Sequence, residues 1–250
     1  MLTPERHRKI IEVLGEKSVV TIQELVEATA SSESTIRRDL SQLQREKKLK
    51  RVHGGASLTH QKSEELSVFE KSARNALEKE KIAPYACDVV QTGACIYLDA
   101  GTTTLRMIPH LKNKEITVVT NAISHLEALS EHEIKTYLIG GLVKSKTKAL
   151  VGSSAIKSLS SYRFDKVFLG MNGIHIEAGF TTPDPEEAAV KNLAISLSQK
   201  AFILADHTKF HETSFSKVAE LNEAIIITDD IDDDVIYDFQ DKTEVRVVTS

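Results

Sequence analysis

Apolar residues at positions 10, 11 and 14 recur at helical spacing. Pro4 suits a first helical turn, so a first helix is predicted with Thr3 as its cap and Gly15 as its end. SVVT follows as a short strand, and Thr21 with Glu24 forms a capping box that opens a second helix through Ala28. After the polar turn TASSES, Ser32 caps a third helix. There Ile36, Leu40 and Leu43 make an inward stripe, and Ser34, Thr35, Arg37, Arg38 and Gln42 lie off it. LKRVHGG reads as a two-stranded hairpin, and residues 57–67 (SLTHQKSEELS) as a polar, aperiodic linker. From about Phe69 the pattern turns helical. Seven apolar runs of strand length then appear, at 94–99, 116–120, 135–139, 166–170, 201–205, 224–228 and 245–248. Amphipathic stretches such as 104–111, 122–129 and 185–198 separate most of them, which predicts a parallel α/β sheet covered on both faces. The expected division is a head over 1–56, a linker and helix start over 57–74, and an α/β domain over 75–250.

Charge sharpens this picture. The 250-residue chain has a net charge of −4, yet residues 1–56 hold 11 Lys or Arg against 8 Asp or Glu. Between Arg37 and Ala56, seven basic residues face two acids. Helix, strand, helix, tight turn, helix and hairpin is the order of a winged helix-turn-helix, whose third helix enters the major groove of DNA. Ser34, Thr35, Arg37 and Arg38 near its start can reach base edges and phosphates. Lys47, Lys48, Lys50 and Arg51 can meet the DNA backbone, and His53 in the wing either touches a phosphate or packs. A solvated bundle with idle charges is the alternative. The caps, helices and hairpin in this order weigh against it.

Composition adds limits. With 41% hydrophobic and 27% charged residues, the chain reads as a soluble globular protein. No apolar run reaches membrane-spanning length, and MLTPERHRKI lacks the apolar core of a signal peptide, so a cytoplasmic protein is expected. Cys87 and Cys95 make neither a disulfide framework nor a zinc set and are expected as buried, reduced thiols. His207 and His211 lack a third ligand, so no metal is expected.

Polar motifs fall after the predicted strands. DAGTTT (99–104) follows the first, Asn121 the second, Gly140 and Gly141 the third, Asn172 and Gly173 the fourth, and DHTK (206–209) the fifth. Loops at the carboxyl ends of parallel strands converge on one crevice, so a small polar ligand is predicted there. Gly101 allows close backbone approach, and Thr102, Thr103 and Thr104 offer hydroxyls beside the free N–H groups of a helix start, as an anion cradle would. Ordinary helix capping accounts for the same residues equally well. Lys209 offers a cation, and Asp99, Asn121 and Asp206 offer partners for sugar hydroxyls. Without a GxxxxGK[ST] loop, or a GxGxxG after a strand, no nucleotide cofactor is expected. DDIDDD (229–234) reads as a solvated acidic turn.

TIRRDLSQLQREKKLKRVHGGA, with Ser32 three residues upstream, resembles the signature of the DeoR family of bacterial transcriptional regulators. EKIA, YLDAGTTT, TN, GG, NGI, GFTTPDPEEAAVK and ADHTKF resemble that family's sensor domain, so the resemblance spans nearly the whole chain. It implies a sensor similar in fold to ribose-5-phosphate isomerase and glucosamine-6-phosphate deaminase that binds phosphosugar effectors. It also implies that residues 101–104 hold the phosphate, while Asp99, Asn121, Glu187, Lys191, Asp206 and Lys209 line the pocket. The family often has Arg where Lys71 stands, and Lys cannot make the bidentate fork. MLTPERH, SESTIRRDL, YRFDKVFLGMNGIH and EAGFTTPDPEEA look most like the fructose operon repressors of Gram-positive bacteria, which implies fructose 1-phosphate as effector.

Three functions fit these residues. The first is a repressor, a homodimer or homotetramer, whose effector weakens its grip on operator DNA. The second is a phosphosugar isomerase with an attached DNA module, in which Asp99, Glu187, Asp206 and Lys209 move protons between C1 and C2. The third is a scaffold whose α/β domain only dimerises. Fold alone does not separate them, and the DNA-binding head favours the repressor over an enzyme.

Overall fold

The computed structural model describes residues 2–248 apart from Ser18, Lys47, His53 and residues 59–64. The chain forms two compact units, Met1–Gln61 and Lys62–Ser250. The first unit runs α1 (Thr3–Glu16), β1 (Val19–Thr21), α2 (Ile22–Thr29), α3 (Glu33–Arg45), β2 (Leu49–Val52) and β3 (Gly55–Leu58). Thr3 lies inside α1 rather than capping it, and the helix continues through Gly15 to Glu16. The capping box closes as expected: Glu24 N donates to Thr21 Oγ1, and Thr21 N donates to the Glu24 carboxylate at 2.8 Å. Ser32 Oγ accepts from Thr35 N at 3.3 Å and starts α3. Ile36, Leu40 and Leu43 are fully buried against Ile10, Leu14, Leu25 and Leu49. β1 and β2 both pair antiparallel with β3, which carries the wing to Leu58, two residues past the expected end of the head.

The second unit begins with α4 (Val68–Ala73), α5 (Ala76–Asp88), β4 (Cys95–Leu98), α6 (Thr102–Met107), β5 (Thr117–Thr120) and α7 (Leu126–Glu131). β6 (Lys135–Leu138), β7 (Leu142–Val143), β8 (Leu150–Val151), α8 (Ser153–Leu159), β9 (Phe164–Gly170), β10 (Gly173–His175) and β11 (Gly179–Thr182) come next. The chain closes with α9 (Pro185–Ser196), β12 (Ser198–Leu204), β13 (Ser216–Ala219), β14 (Ile225–Thr228), α10 (Asp233–Gln240) and β15 (Val245–Val247). All seven foreseen strands form one parallel sheet, in the order β15-β14-β12-β9-β4-β5-β6.

Alternate side chains of each strand feed two separate cores, because successive residues point to opposite faces. Tyr97, Val167, Leu169 and Ile203 join the core that includes α8 and α9; Ile96, Leu98, Phe168, Phe202 and Leu204 join the one that includes α5 and α6. Phe168 and Phe202 stack with ring centres 5.3 Å apart. Chain order reverses between β4 and β9: β5 and β6 continue one side of the sheet, and β9, β12, β14 and β15 the other. A reversal of this kind leaves a crevice at the carboxyl ends of the two strands.

Several features depart from the sequence reading. A second, antiparallel sheet, β10-β11-β13, was not expected, nor was the β7-β8 hairpin. The helix expected from Phe69 breaks at Arg74 and Asn75, where Asn75 takes the left-handed conformation (φ 48°). The expected helices at 104–111 and 122–129 each combine an α-helix with a single 3-10 turn, and α9 stops at Ser196 so that Ser198 can open β12. Cys87 is buried, but Cys95 is exposed.

Candidate functional site

On the head, Ser34, Arg37, Arg38, Lys50 and Arg51 are exposed on α3 and the wing. Arg37 meets Glu33, one turn earlier, at 2.6 Å, and Arg51 donates to Ser41 Oγ at 2.9 Å, joining wing to helix. Thr35 is engaged in the cap, its hydroxyl 2.8 Å from Ser32 Oγ. His53 and Lys47 lie outside the described residues. Asp39 points the other way. It is 4% exposed, and Arg6 and His7 of α1 reach its Oδ1 at 3.1 and 3.2 Å. Burial alone would raise the Asp39 carboxyl, but the bonds from Arg6 and His7 outweigh it and hold it below the usual range.

In the second unit, a cavity opens at the strand-order reversal. Its wall takes Asp99, Gly101, Thr102 and Thr103 from the end of β4, and Gly170 and Asn172 from the end of β9. α9 contributes Glu187 and Lys191, and the turn after β12 contributes Asp206 and Lys209. A further wall comes from the stretch ahead of β4: Leu66, Lys71, Arg74, Asn75 and Lys79, of which the sequence reading singled out only Lys71, as the position where the family often has Arg. The break at Asn75 makes this possible, since its side chain donates to Asp206 Oδ1 at 2.8 Å and Thr208 Oγ1 at 3.2 Å. An Asn set before ALEKEK was the available signal, because Asn tolerates the left-handed region.

The wall brings five cations, Lys71, Arg74, Lys79, Lys191 and Lys209, against three carboxylates, Asp99, Glu187 and Asp206. Lys191 pairs with Asp99 and donates to Gly170 O at 3.1 Å. Burial opposes ionisation of Glu187, but Lys191, Thr147 and Lys144 hold its carboxyl below the usual range. Asp206 behaves alike, with Lys209 and Thr208 overcoming its burial. Lys209 stands 3.9 Å from Asp206, a loose pair. Lys79 donates to the carbonyls of Lys71 and Arg74, closing the helix break, and desolvation pulls it down to about 8. Burial also lowers Lys71, with Glu187 opposing and Lys191 adding to the depression. Among the described residues, neither the Lys71 ammonium nor the hydroxyls of Thr102 and Thr103 has a hydrogen-bond partner.

Five expected ligand residues lie outside this wall. Thr104 is fully buried. Its hydroxyl donates to Asp99 O at 2.7 Å, accepts from Gly101 N at 3.1 Å and meets His125 Nε2 at 3.1 Å. Asn121 holds the same loop from the neighbouring strand: its Oδ1 accepts from Ala100 N at 3.0 Å, and its Nδ2 donates to Leu150 O. Gly140 is exposed. Gly141 and Gly173 are packing glycines, where an added Cβ would come within 2.8 Å of Val151 O and 2.4 Å of Glu212 O.

A winged helix-turn-helix joined to a doubly wound α/β domain, with a charged crevice at its switch point, defines a DNA-binding regulator that carries a sensor. Residues 6–62 match the DeoR-like helix-turn-helix domain, and residues 74–230 match the DeoR C-terminal sensor domain. The chain belongs to the DeoR family of transcriptional regulators. It is 51% identical over 249 residues to the uncharacterized HTH-type transcriptional regulator FruR of Bacillus subtilis, covering 99% of each chain. The HTH-type transcriptional repressor GlcR of the same organism is 35% identical, over 100% of this chain and 97% of its own. The lactose phosphotransferase system repressor of Staphylococcus aureus is 31% identical, over 98% and 95%. Ribose 5-phosphate isomerase A from Neisseria gonorrhoeae aligns with a TM-score of 0.40 at 18% identity, covering 53% of this chain and 52% of that one.

Proposed function

We propose that this protein represses a sugar-utilisation operon in the cytoplasm, and that a sugar monophosphate, fructose 1-phosphate, enters the crevice and releases the operator. The surplus of two positive charges in the cavity wall carries this reading, because it matches the charge of a phosphate dianion. Lys71, Thr102 and Thr103 offer donors that find no hydrogen-bond partner among the described residues, while Asp99, Asn172 and Asp206 offer partners for sugar hydroxyls. The names of the relatives support a sugar-linked operon, and the likeness to FruR favours fructose. Ser34, Thr35, Arg37, Arg38, Lys50, Arg51 and His53 would contact the operator.

Calorimetry with fructose 1-phosphate, fructose 6-phosphate and free fructose, followed by operator-release assays, tests the reading. Charge-assisted hydrogen bonds contribute about 1.5–3 kcal/mol each. Losing two or three with the phosphate should weaken binding roughly a thousandfold. Thr103→Val and Lys209→Ala should each weaken the sugar phosphate and leave operator binding intact. Equal affinity for free fructose would refute the phosphate site; a preference for fructose 6-phosphate would overturn only the choice of sugar.

A further inference from the structure

Glu65 stands just past the junction of the two units, and its side chain is only 11% exposed. The Lys144 ammonium, in the loop of the β7-β8 hairpin, lies 2.7 Å from Glu65, 2.9 Å from Asp184 and 3.1 Å from Glu187. One ammonium therefore serves three carboxylates, and one of these, Glu187, is part of the cavity wall. Thr147 gives Glu187 a second donor at 2.7 Å. Glu65 has no such reserve: its Oε1 is buried without a hydrogen-bond partner among the described residues. A buried acceptor left unpaired works against the docked arrangement. Burial raises the Glu65 carboxyl above the usual range, with Lys144 opposing and Glu187 adding to the rise. The same stretch then enters the cavity wall through Leu66 and Lys71, and Val68 N donates to Lys146 O at 3.0 Å.

We propose that Glu65 is a positioning residue for the cavity, acting through Lys144 on Glu187, and that docking of Glu65 and binding of an anion oppose one another. Occupancy of the cavity then reaches the start of the second unit, from Glu65 to Lys71. The inference rests on the reading of the cavity as an effector site. On the cavity side, Glu187 is compensated by Lys191 and Lys71. A dianion draws on those same cations, so Glu187 leans harder on Lys144 and competes with Glu65 for it. With one oxygen already unpaired, Glu65 is the carboxylate that yields. Linkage makes the effect reciprocal: a protein in which Glu65 cannot hold Lys144 binds the anion more tightly.

The test compares the full-length native protein with Glu65→Gln, which keeps the side chain's size and loses its charge. Calorimetry should show fructose 1-phosphate binding tighter by about fivefold or more in the variant, with operator release at correspondingly lower sugar phosphate. Amide hydrogen exchange over residues 185–191 should change without ligand. Unchanged affinity with unchanged exchange overturns the proposal. Weaker binding in Glu65→Gln also overturns it, since Glu65 would then support the anion instead of opposing it. If the native protein binds no sugar phosphate, the effector reading falls, and the exchange measurement decides the coupling by itself: altered protection at 185–191 sustains it and unchanged protection defeats it.

Discussion

Asp39 carries a charge in the middle of α3, yet its partners are Arg6 and His7 rather than solvent. Removing one member of a buried ion pair costs about 3–5 kcal/mol, comparable with the roughly 3–9 kcal/mol expected of a sixty-residue unit. Asp39→Ala should therefore melt the head and abolish operator binding. Arg37→Ala with Arg38→Ala should abolish operator binding with the head still folded. Circular dichroism melts and fluorescence anisotropy on operator DNA separate the two, and a normally folded head in Asp39→Ala would contradict the account. The sequence shows that TIRRDL matters without showing that its acid is internal glue, because a lone Asp among basic residues looks solvated. The threonines teach the same lesson. DAGTTT presents three hydroxyls, but successive helical residues are about 100° apart, so Thr102 and Thr103 face the cavity while Thr104 turns inward to His125. Burial pushes His125 down to about 4, so it stays neutral and braces the loop. Nothing in its sequence surroundings marks it.

The turn that carries Asp206 and Lys209 is fixed by a neighbour read from sequence as a solvated acid. Asp229 is 4% exposed; it accepts from His207 N at 2.7 Å and meets His207 Nδ1 at 2.6 Å. That bond outweighs burial and raises His207 above its ordinary 6.5. The stabilisation it gives is fully present below pH 6.5 and is lost as pH rises through the raised value. If fructose 1-phosphate is the effector proposed above, its affinity should consequently decline as pH climbs above 6.5, and Asp229→Asn should flatten that decline. Calorimetry at a series of pH values checks this, and identical profiles in the two proteins would refute it. Elements were legible where apolar runs had clear ends, which is why the seven sheet strands were found. β11 escaped notice because Thr181 and Thr182 are buried polar residues that break any alternation. Apart from Lys71, the wall ahead of β4 is hidden in the sequence because EKSARNALEKEK has helical composition throughout, and only the backbone of Asn75 reveals the break.

Over the whole chain, a head with net +3 precedes a remainder with net −7. One such head offers few phosphate contacts, and nonspecific binding grows with their number, so firm operator binding calls for paired heads on paired half-sites. The protein should be a dimer or tetramer at micromolar concentration; light scattering that finds a monomer, even with operator present, would contradict this. The cavity also has a history along the chain. Asn75 and Asp206 are bonded across 131 residues, and the wall is unfinished until Lys209 has been made. Every strand pairing of the head, by contrast, closes within residues 19–58. Chains emerge from the ribosome head first, and contacts close in sequence form early. During synthesis, the head therefore folds ahead of the cavity. A chain cut short after α9 would keep all of the head and lack Asp206 and Lys209: a reader of DNA whose cavity was never finished.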